Sequence, residues 1–184
     1  MSRVLAKRAL ISHPGSHCDA ISGCGTKVEL SEEGLLKIEY VVTGDIRQVA
    51  LPVRVAAERA DNLWTTTCFE AFFMSDDGQY CEFNFSPSTC WAAYRFSSYR
   101  EGMETAHGGV SVIEIEEMTD RFSLTANLPI NSYLPRWWQR IGLSAVFECR
   151  DGSKTFWALA HPPGGPDFHH KDCFALTLPA PGGS

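Results

Sequence analysis

The chain has no apolar run long enough to cross a membrane as a helix, which takes roughly 18 residues or more. It also lacks CxxC, HxH, HExxH and GxSxG, and no glycine-rich loop suits a phosphate. Metal centres of the common spacings and elbow-type nucleophiles are therefore not expected. The opening "MSRVLAKRALISHPG" has no apolar stretch followed by a small-residue cleavage site, so a secretory signal is not expected and a cytoplasmic location is. Positive charge is scarce: 16 Lys and Arg stand against 22 Asp and Glu, a net −6. Nucleic acid, whose phosphates reward clustered cations, is not an expected partner, and neither is a membrane. A paired cysteine framework is missing too. The seven cysteines are odd in number and irregularly spaced, which suits reduced thiols. Cys68, Cys81, Cys149 and Cys173 sit in apolar runs and read as small hydrophobes. Cys18 and Cys24, in "HCDAISGCG", are the two left open to pairing or metal.

Aromatic and apolar residues are plentiful: 11 Phe, 5 Trp and 5 Tyr, within a 44% hydrophobic composition that supports a sizeable core. The dominant period is two. In Leu35–Val42, Leu36, Ile38, Tyr40 and Val42 share a face. In Tyr80–Phe85, Cys81, Phe83 and Phe85 oppose Tyr80, Glu82 and Asn84. Val110–Glu117 alternates over Ile113 and Ile115, and Arg121–Leu128 over Phe122, Leu124, Ala126 and Leu128. This is the signature of half-buried strands. "SDDG" predicts a hairpin between "CFEAFFM" and "YCEFNF", and "RDG" another between "IGLSAVFEC" and "KTFWALAH". Further strands are expected at Lys7–His13, Gln48–Val53, Cys90–Phe96 and Phe174–Leu178, with one helical turn at Leu134–Arg140. The expected fold is all-β: an antiparallel two-sheet β-sandwich, jelly-roll-like, of about ten strands with little helix. One domain spans residues 1–178, and residues 179–184 form a loose tail.

Three stretches hold the residues that suit a ligand. Trp64 follows "ADN" and precedes a strand on which Glu70 lies between apolar neighbours, where a carboxylate needs a partner. Glu82 and Asn84 lie on the adjoining hairpin strand, and Glu70 and Glu82 form the one carboxylate pair of interest. "CWAAYRFSSYR" sets Trp91, Ala93 and Arg95 on one face and Ala92, Tyr94 and Phe96 on the other, with Arg100 just beyond. Rings stack on a sugar's apolar face while Arg forks onto a carboxylate or phosphate. The third stretch, "HPPGGPDFHHKD" (His161–Asp172), holds three of the six histidines, two aspartates and three prolines. The prolines stiffen it. In an extended chain His169 and His170 face opposite ways, so a loop delivering a histidine and an aspartate to a pocket is favoured over a metal centre.

The blocks Leu63–Met103 and Phe156–Leu178 resemble the bacterial DOMON-like proteins, which are similar in turn to family-nine carbohydrate-binding modules. The resemblance runs from about Leu10 to Leu178. It implies a β-sandwich that binds sugar or haem, the related modules gripping a sugar between two aromatic rings and often holding a calcium. On this resemblance Trp64 matches the "LW" opening the acidic strand, Glu70 that strand's acid, and Trp157 the "fW" before the final strands; Trp91 and Tyr94 fall in the region of the ring sandwich. For haem it brings in Met103 with His161, His169 or His170. The expected function is non-catalytic binding of a small ligand, a carbohydrate or sugar-containing metabolite, with no cofactor required and calcium ahead of haem if one is held. The alternatives are an enzyme using His169 or His170 as base with Glu70, and a metal- or haem-binding protein.

Overall fold

In the computed structural model, which describes residues 2–106, 110, 112–129 and 138–177, the chain is antiparallel β almost throughout. The strands are β1 (Ser2–Ser12), β2 (Ile21–Ser31), β3 (Leu35–Gly44), β4 (Cys68–Ser75), β5 (Tyr80–Phe85) and β6 (Trp91–Phe96). They continue as β7 (Glu104–Thr105), β8 (Val112–Glu117), β9 (Arg121–Pro129), β10 (Trp138–Glu148), β11 (Lys154–Ala158) and β12 (Leu176–Thr177). Short 3-10 turns at Ile46–Gln48, Leu63–Thr65 and Lys171–Cys173 are the helical elements among the described residues.

The expected two-sheet sandwich is corrected to a single 12-stranded sheet in the order β7-β6-β5-β4-β10-β11-β1-β2-β3-β9-β8, with β12 added on β10. The strand that joins the two expected sheets is β1. It pairs with β2 from Ser2 to Leu10, then turns its last residues, Ile11 and Ser12, onto β11. A sheet continuous through β1 curls into a half-barrel, so strands far apart in the order face each other across the interior. Tyr40 on β3 donates its hydroxyl hydrogen to the Glu70 carbonyl on β4 at 2.8 Å, and the rings of Phe69 and Phe122 stack 5.8 Å apart.

The alternating faces of β3 and β9 supply one wall of this core: Leu36, Ile38, Tyr40, Val42, Phe122, Leu124, Ala126 and Leu128 are all buried. Phe69, Ala71, Phe73, Phe83, Phe85, Leu143, Ala145 and Phe147 supply the other. Each ring that leaves water here contributes roughly 2 kcal/mol.

β4 and β5 differ from ordinary half-buried strands. All six residues of β5, and all of β4 but Met74, are buried. Their second face carries its own apolar cluster, built on Phe72, Tyr80, Tyr94, Phe96, Val146, Phe168 and Phe174. The cover over that outer face comes from the segment after β11.

Three local expectations change. Residues 21–31, not expected as a strand, form β2 in the middle of the β1–β3 region, where Gly23 and Gly25 interrupt the alternation of Cys24, Thr26 and Val28. Gln48–Val53 is not a strand: Val49 makes a single bridge to Cys149, and Val53 is 83% exposed. Pro52, which has no N–H, sits where a ladder bond would fall. Trp138–Arg140 begin β10 rather than continuing a helical turn; residues 134–137, and the tail at 179–184, lie outside the described residues.

The cysteine expectation also changes. Cys18 is disulfide-bonded to Cys149, 131 positions away, while Cys24, Cys68, Cys81, Cys90 and Cys173 are buried and free. The link bridges the β1–β2 connection to the end of β10, across β11. Closing a loop of this length restricts the unfolded chain by about 5 kcal/mol on the loop-entropy model. Cys18→Ser, or reduction of the native protein, should therefore lower the denaturant midpoint; an unchanged midpoint with and without dithiothreitol would show that the link contributes nothing. At the core, Phe69→Ala should cost roughly 3–5 kcal/mol of unfolding free energy in the same assay, because Phe69 touches Tyr40, Phe122 and Phe147 at once.

Candidate functional site

A cavity of about 450 Å³ opens on the outer face of β4, β5, β6, β10 and β11. The strand ladder sets its floor. Glu70 stands opposite Asn84 and Ser144, and Phe72 opposite Glu82. Glu70 and Glu82 are thus diagonal neighbours on one face, a position typically 7–8 Å apart at Cα. Tyr94 and Phe96 from β6, Val146 from β10 and Phe156 from β11 form the walls. Trp64, in the 3-10 turn before β4, stands at the mouth, 37% exposed, edge-on to Tyr94 at 5.8 Å. Arg100 and Met103 come from the loop after β6, and Pro166, Phe168 and His169 from the covering segment.

The loops carry the strain. Of the three non-glycine residues with positive φ among those described, Asn62 (61°) precedes Trp64 and Arg100 (56°) is itself at the cavity. Left-handed backbone at non-glycine positions persists where the surroundings over-determine it. Arg100 is held by two contacts. Its guanidinium donates to Asp167 at 2.8 Å and its backbone N–H donates to the Tyr80 hydroxyl at 3.1 Å, while Tyr99 donates to the other oxygen of Asp167. Asp167 is the residue that staples the stiff segment to this loop.

Tyr80 accepts from the Arg100 N–H, and its hydroxyl shares a hydrogen bond with His169 Nδ1, 2.8 Å away. The other ring nitrogen, Nε2, faces Glu82 Oε2 at 3.7 Å. Burial, then the nearby Arg100 charge, pull the imidazole down to about 4, against a smaller opposing effect of Asp167. His169 is neutral at pH 7.

The two carboxyls are held the other way. Burial pushes Glu82 up to about 7, although Asn84 donates to it at 2.7 Å and Arg100 favours its charge. Burial, then the Glu82 charge, raise Glu70 well above the usual carboxylate range. Ser144, across the ladder, eases its charged form without reaching hydrogen-bonding geometry, and its buried Oγ has no partner. The Tyr94 hydroxyl donates to Asp61, which is itself forked by Arg59.

The structure brings Trp64, Glu70, Glu82, Tyr94, Arg100 and His169 together at the cavity, with Asn84 directly behind Glu82. The other candidates lie elsewhere. Trp91 packs against the main core, and Trp157 is buried in it. Arg95 is exposed on the face of β6 opposite Tyr94 and Phe96. His161 donates from Nε2 to the Ile11 carbonyl at 2.9 Å, edge-on to His13. His170 caps the Lys171–Cys173 turn by accepting the Asp172 N–H. The residues not foreseen at the cavity are Phe96, Val146, Phe156, Pro166 and Phe168. Phe96 was already on Tyr94's face in the alternation, and Phe156 is the other-face neighbour of Trp157.

Met103 and His169 both line the cavity, but they do not fit an axial haem pair. Nδ1 of His169 is taken by Tyr80, and Nε2 faces a carboxyl. Among the described residues no three His, Cys, Asp or Glu side chains converge as a metal site, so no set of residues there fits the calcium.

No family model matches the chain, and no curated protein matches it. Among solved structures it is similar to one from Bacteroides uniformis named as a "putative carbohydrate-binding protein". That match covers 91% of this chain and 83% of the other, with a TM-score of 0.58 and 13% identity. It shows that the two share an overall fold.

The raised Glu82 gives a signed pH dependence. Its folded form holds the proton more tightly than the unfolded chain, whose carboxyl titrates near 4.5. Its contribution is therefore fully present below that value, falls as pH rises towards about 7, and levels off above. The total is on the order of 3 kcal/mol. Glu82→Gln keeps an acceptor for Asn84 and removes the titration. Relative to wild type, it should become more stable by roughly 1–3 kcal/mol between pH 5.5 and pH 8 in denaturant melts. Parallel wild-type and variant profiles across that range would refute the assignment.

Proposed function

We propose that the protein binds a carbohydrate or a sugar-containing metabolite, without catalysis, in the cavity framed by Trp64, Tyr94, Glu70, Glu82, Arg100 and His169. The observation that carries this reading is the meeting of aromatic edges with buried hydrogen-bonding groups in one hollow. Trp64 and Tyr94 stand perpendicular to each other at the mouth, where a ring face can cover the apolar side of a pyranose. The carboxyls at the floor and Arg100 at the rim suit hydroxyl groups, which both donate and accept. The fold shared with the Bacteroides protein, which is named for carbohydrate binding, supports the same reading, as does the resemblance of the two best blocks to DOMON-like proteins. The non-catalytic part rests on His169: an imidazole whose hold on a proton is weakened by burial and whose Nδ1 is already engaged by the Tyr80 hydroxyl is a poor general base.

Trp64 is the tryptophan at the cavity among the described residues. Titrating mono- and disaccharides against the protein should change its intrinsic fluorescence. Trp64→Ala should weaken binding by roughly 10-fold, the worth of one stacked ring. A sugar panel that leaves both fluorescence and thermal midpoint unmoved would overturn the reading.

A further inference from the structure

Carboxyls outnumber cationic groups around the cavity. Among the described residues Glu70, Glu82 and Asp167 meet one guanidinium, that of Arg100, and Arg100 is already committed to Asp167 by an ion pair at 2.8 Å. His169 supplies no positive charge at neutral pH. Glu70 is 3% exposed; among the described residues its carboxyl has no ion pair, and only Ser144 and the Arg100 charge favour its charged form. Glu82 receives one hydrogen bond, from Asn84, and its second oxygen sees only the distant His169 Nε2.

A second observation concerns Ser144. Two residues before Val146 on the same face of β10, it is 2% exposed; its Oγ favours the charged form of Glu70 across the ladder but has no partner of good hydrogen-bonding geometry. Buried polar groups in native proteins are almost always satisfied. Here two buried carboxyls that line an open cavity are left short of partners, with a buried hydroxyl behind one of them, and what the carboxyls lack is hydrogen-bond donors carrying positive charge. Around them stand Tyr94 and Phe96, rings whose faces also favour a cation.

We infer that the ligand carries a protonated primary amine, seated on Glu70 and Glu82 at the cavity floor, with its ring or chain against Trp64 and Tyr94. An ammonium has three donors and no acceptor. It can serve Glu70 and Glu82 together, which a neutral hydroxyl cannot do while also cancelling charge. This deepens the carbohydrate reading and rests on it: the ligand class becomes an amino sugar with a free amine. Seating the cation draws both carboxyls to their charged form, so binding releases protons near pH 7. The other titratable groups facing the pair, Arg100, Asp167, His169, Tyr80, Tyr94 and Cys68, keep their states: each is held away from neutral pH.

Calorimetry of the intact protein with glucosamine, glucose, N-acetylglucosamine and benzylamine, each in two buffers of different ionisation enthalpy, tests this. Glucosamine should bind roughly 10-fold or more tighter than glucose and N-acetylglucosamine, the usual worth of a charge-assisted bond, with a buffer-dependent heat showing proton release. Glu82→Gln, checked for a native melt, should remove most of that preference and reduce the proton release. Glucose binding as tightly as glucosamine overturns the amine inference and leaves the carbohydrate reading standing. Benzylamine binding as well as glucosamine, with both neutral sugars silent, keeps the amine and overturns the carbohydrate reading. No binding by any of the four overturns the amine inference.

Discussion

The constraint on which the rest of this structure depends is that β4 and β5 are buried on both faces. One face closes the main core inside the curl of the sheet. The other would leave Phe72, Tyr80 and Phe96 in water without a cover. The residues after β11 supply it, with Phe168 and Phe174 as the apolar contacts and Asp167 and His169 as the polar ones. The stiff "HPPGGPDFHHKD" segment is thus a lid on a second, smaller core. The prolines limit the entropy lost in laying it down, and the cavity is the part of the face that it does not fill.

That arrangement explains why two carboxyls can sit where the energetics oppose them. Their backbone positions are fixed by ladder bonds to β10 and β6, so neither side chain can leave without breaking the sheet. Each is held by strands whose other side chains bury rings in the main core. The cost of burying Glu70 and Glu82 is met by those rings, not by local partners. Sites for recognition are often made this way, the fold's surplus stability holding polar groups in places they would not choose alone.

Much of this was legible in the sequence. Period-two alternation located β3, β5 and β9 because one face of each is consistently apolar, and the hairpins at "SDDG" and "RDG" followed from their turn residues. β2 was not legible because Gly23 and Gly25 carry no side chain to mark the outer face. The curl was not legible because it depends on two residues of β1, Ile11 and Ser12, choosing β11 as partner, a long-range pairing with no local signature. The same limit hid the link between Cys18 and Cys149, which only the folded topology brings together. At the site, Trp64, Glu70 and Glu82 stood out because a polar or bulky residue broke an apolar pattern. Trp91 and Arg95 stood out for the same reason, but a strand has two faces, and they point away from the one that carries the cavity.

The division of labour around the cavity follows from which elements build it. Glu70, Glu82, Tyr94 and Phe96 project from central strands locked by neighbours on both sides, so the floor is rigid. Trp64, Arg100 and His169 come from a 3-10 turn and two loops, so the rim is the part able to adjust. A rigid floor with fixed acceptors discriminates by charge and donor geometry, because a mismatched group leaves a buried carboxyl unserved. An adjustable rim discriminates less and mainly adds contact area. The rim is also held by the staple of Asp167 to Arg100 and Tyr99, which ties the covering segment to the loop after β6, and by Tyr80, which bonds both Arg100 and His169. Charge at the floor and the Asp167 staple at the rim are coupled through Arg100, since among the described residues the guanidinium that fastens the lid is also the cation that eases both buried acids.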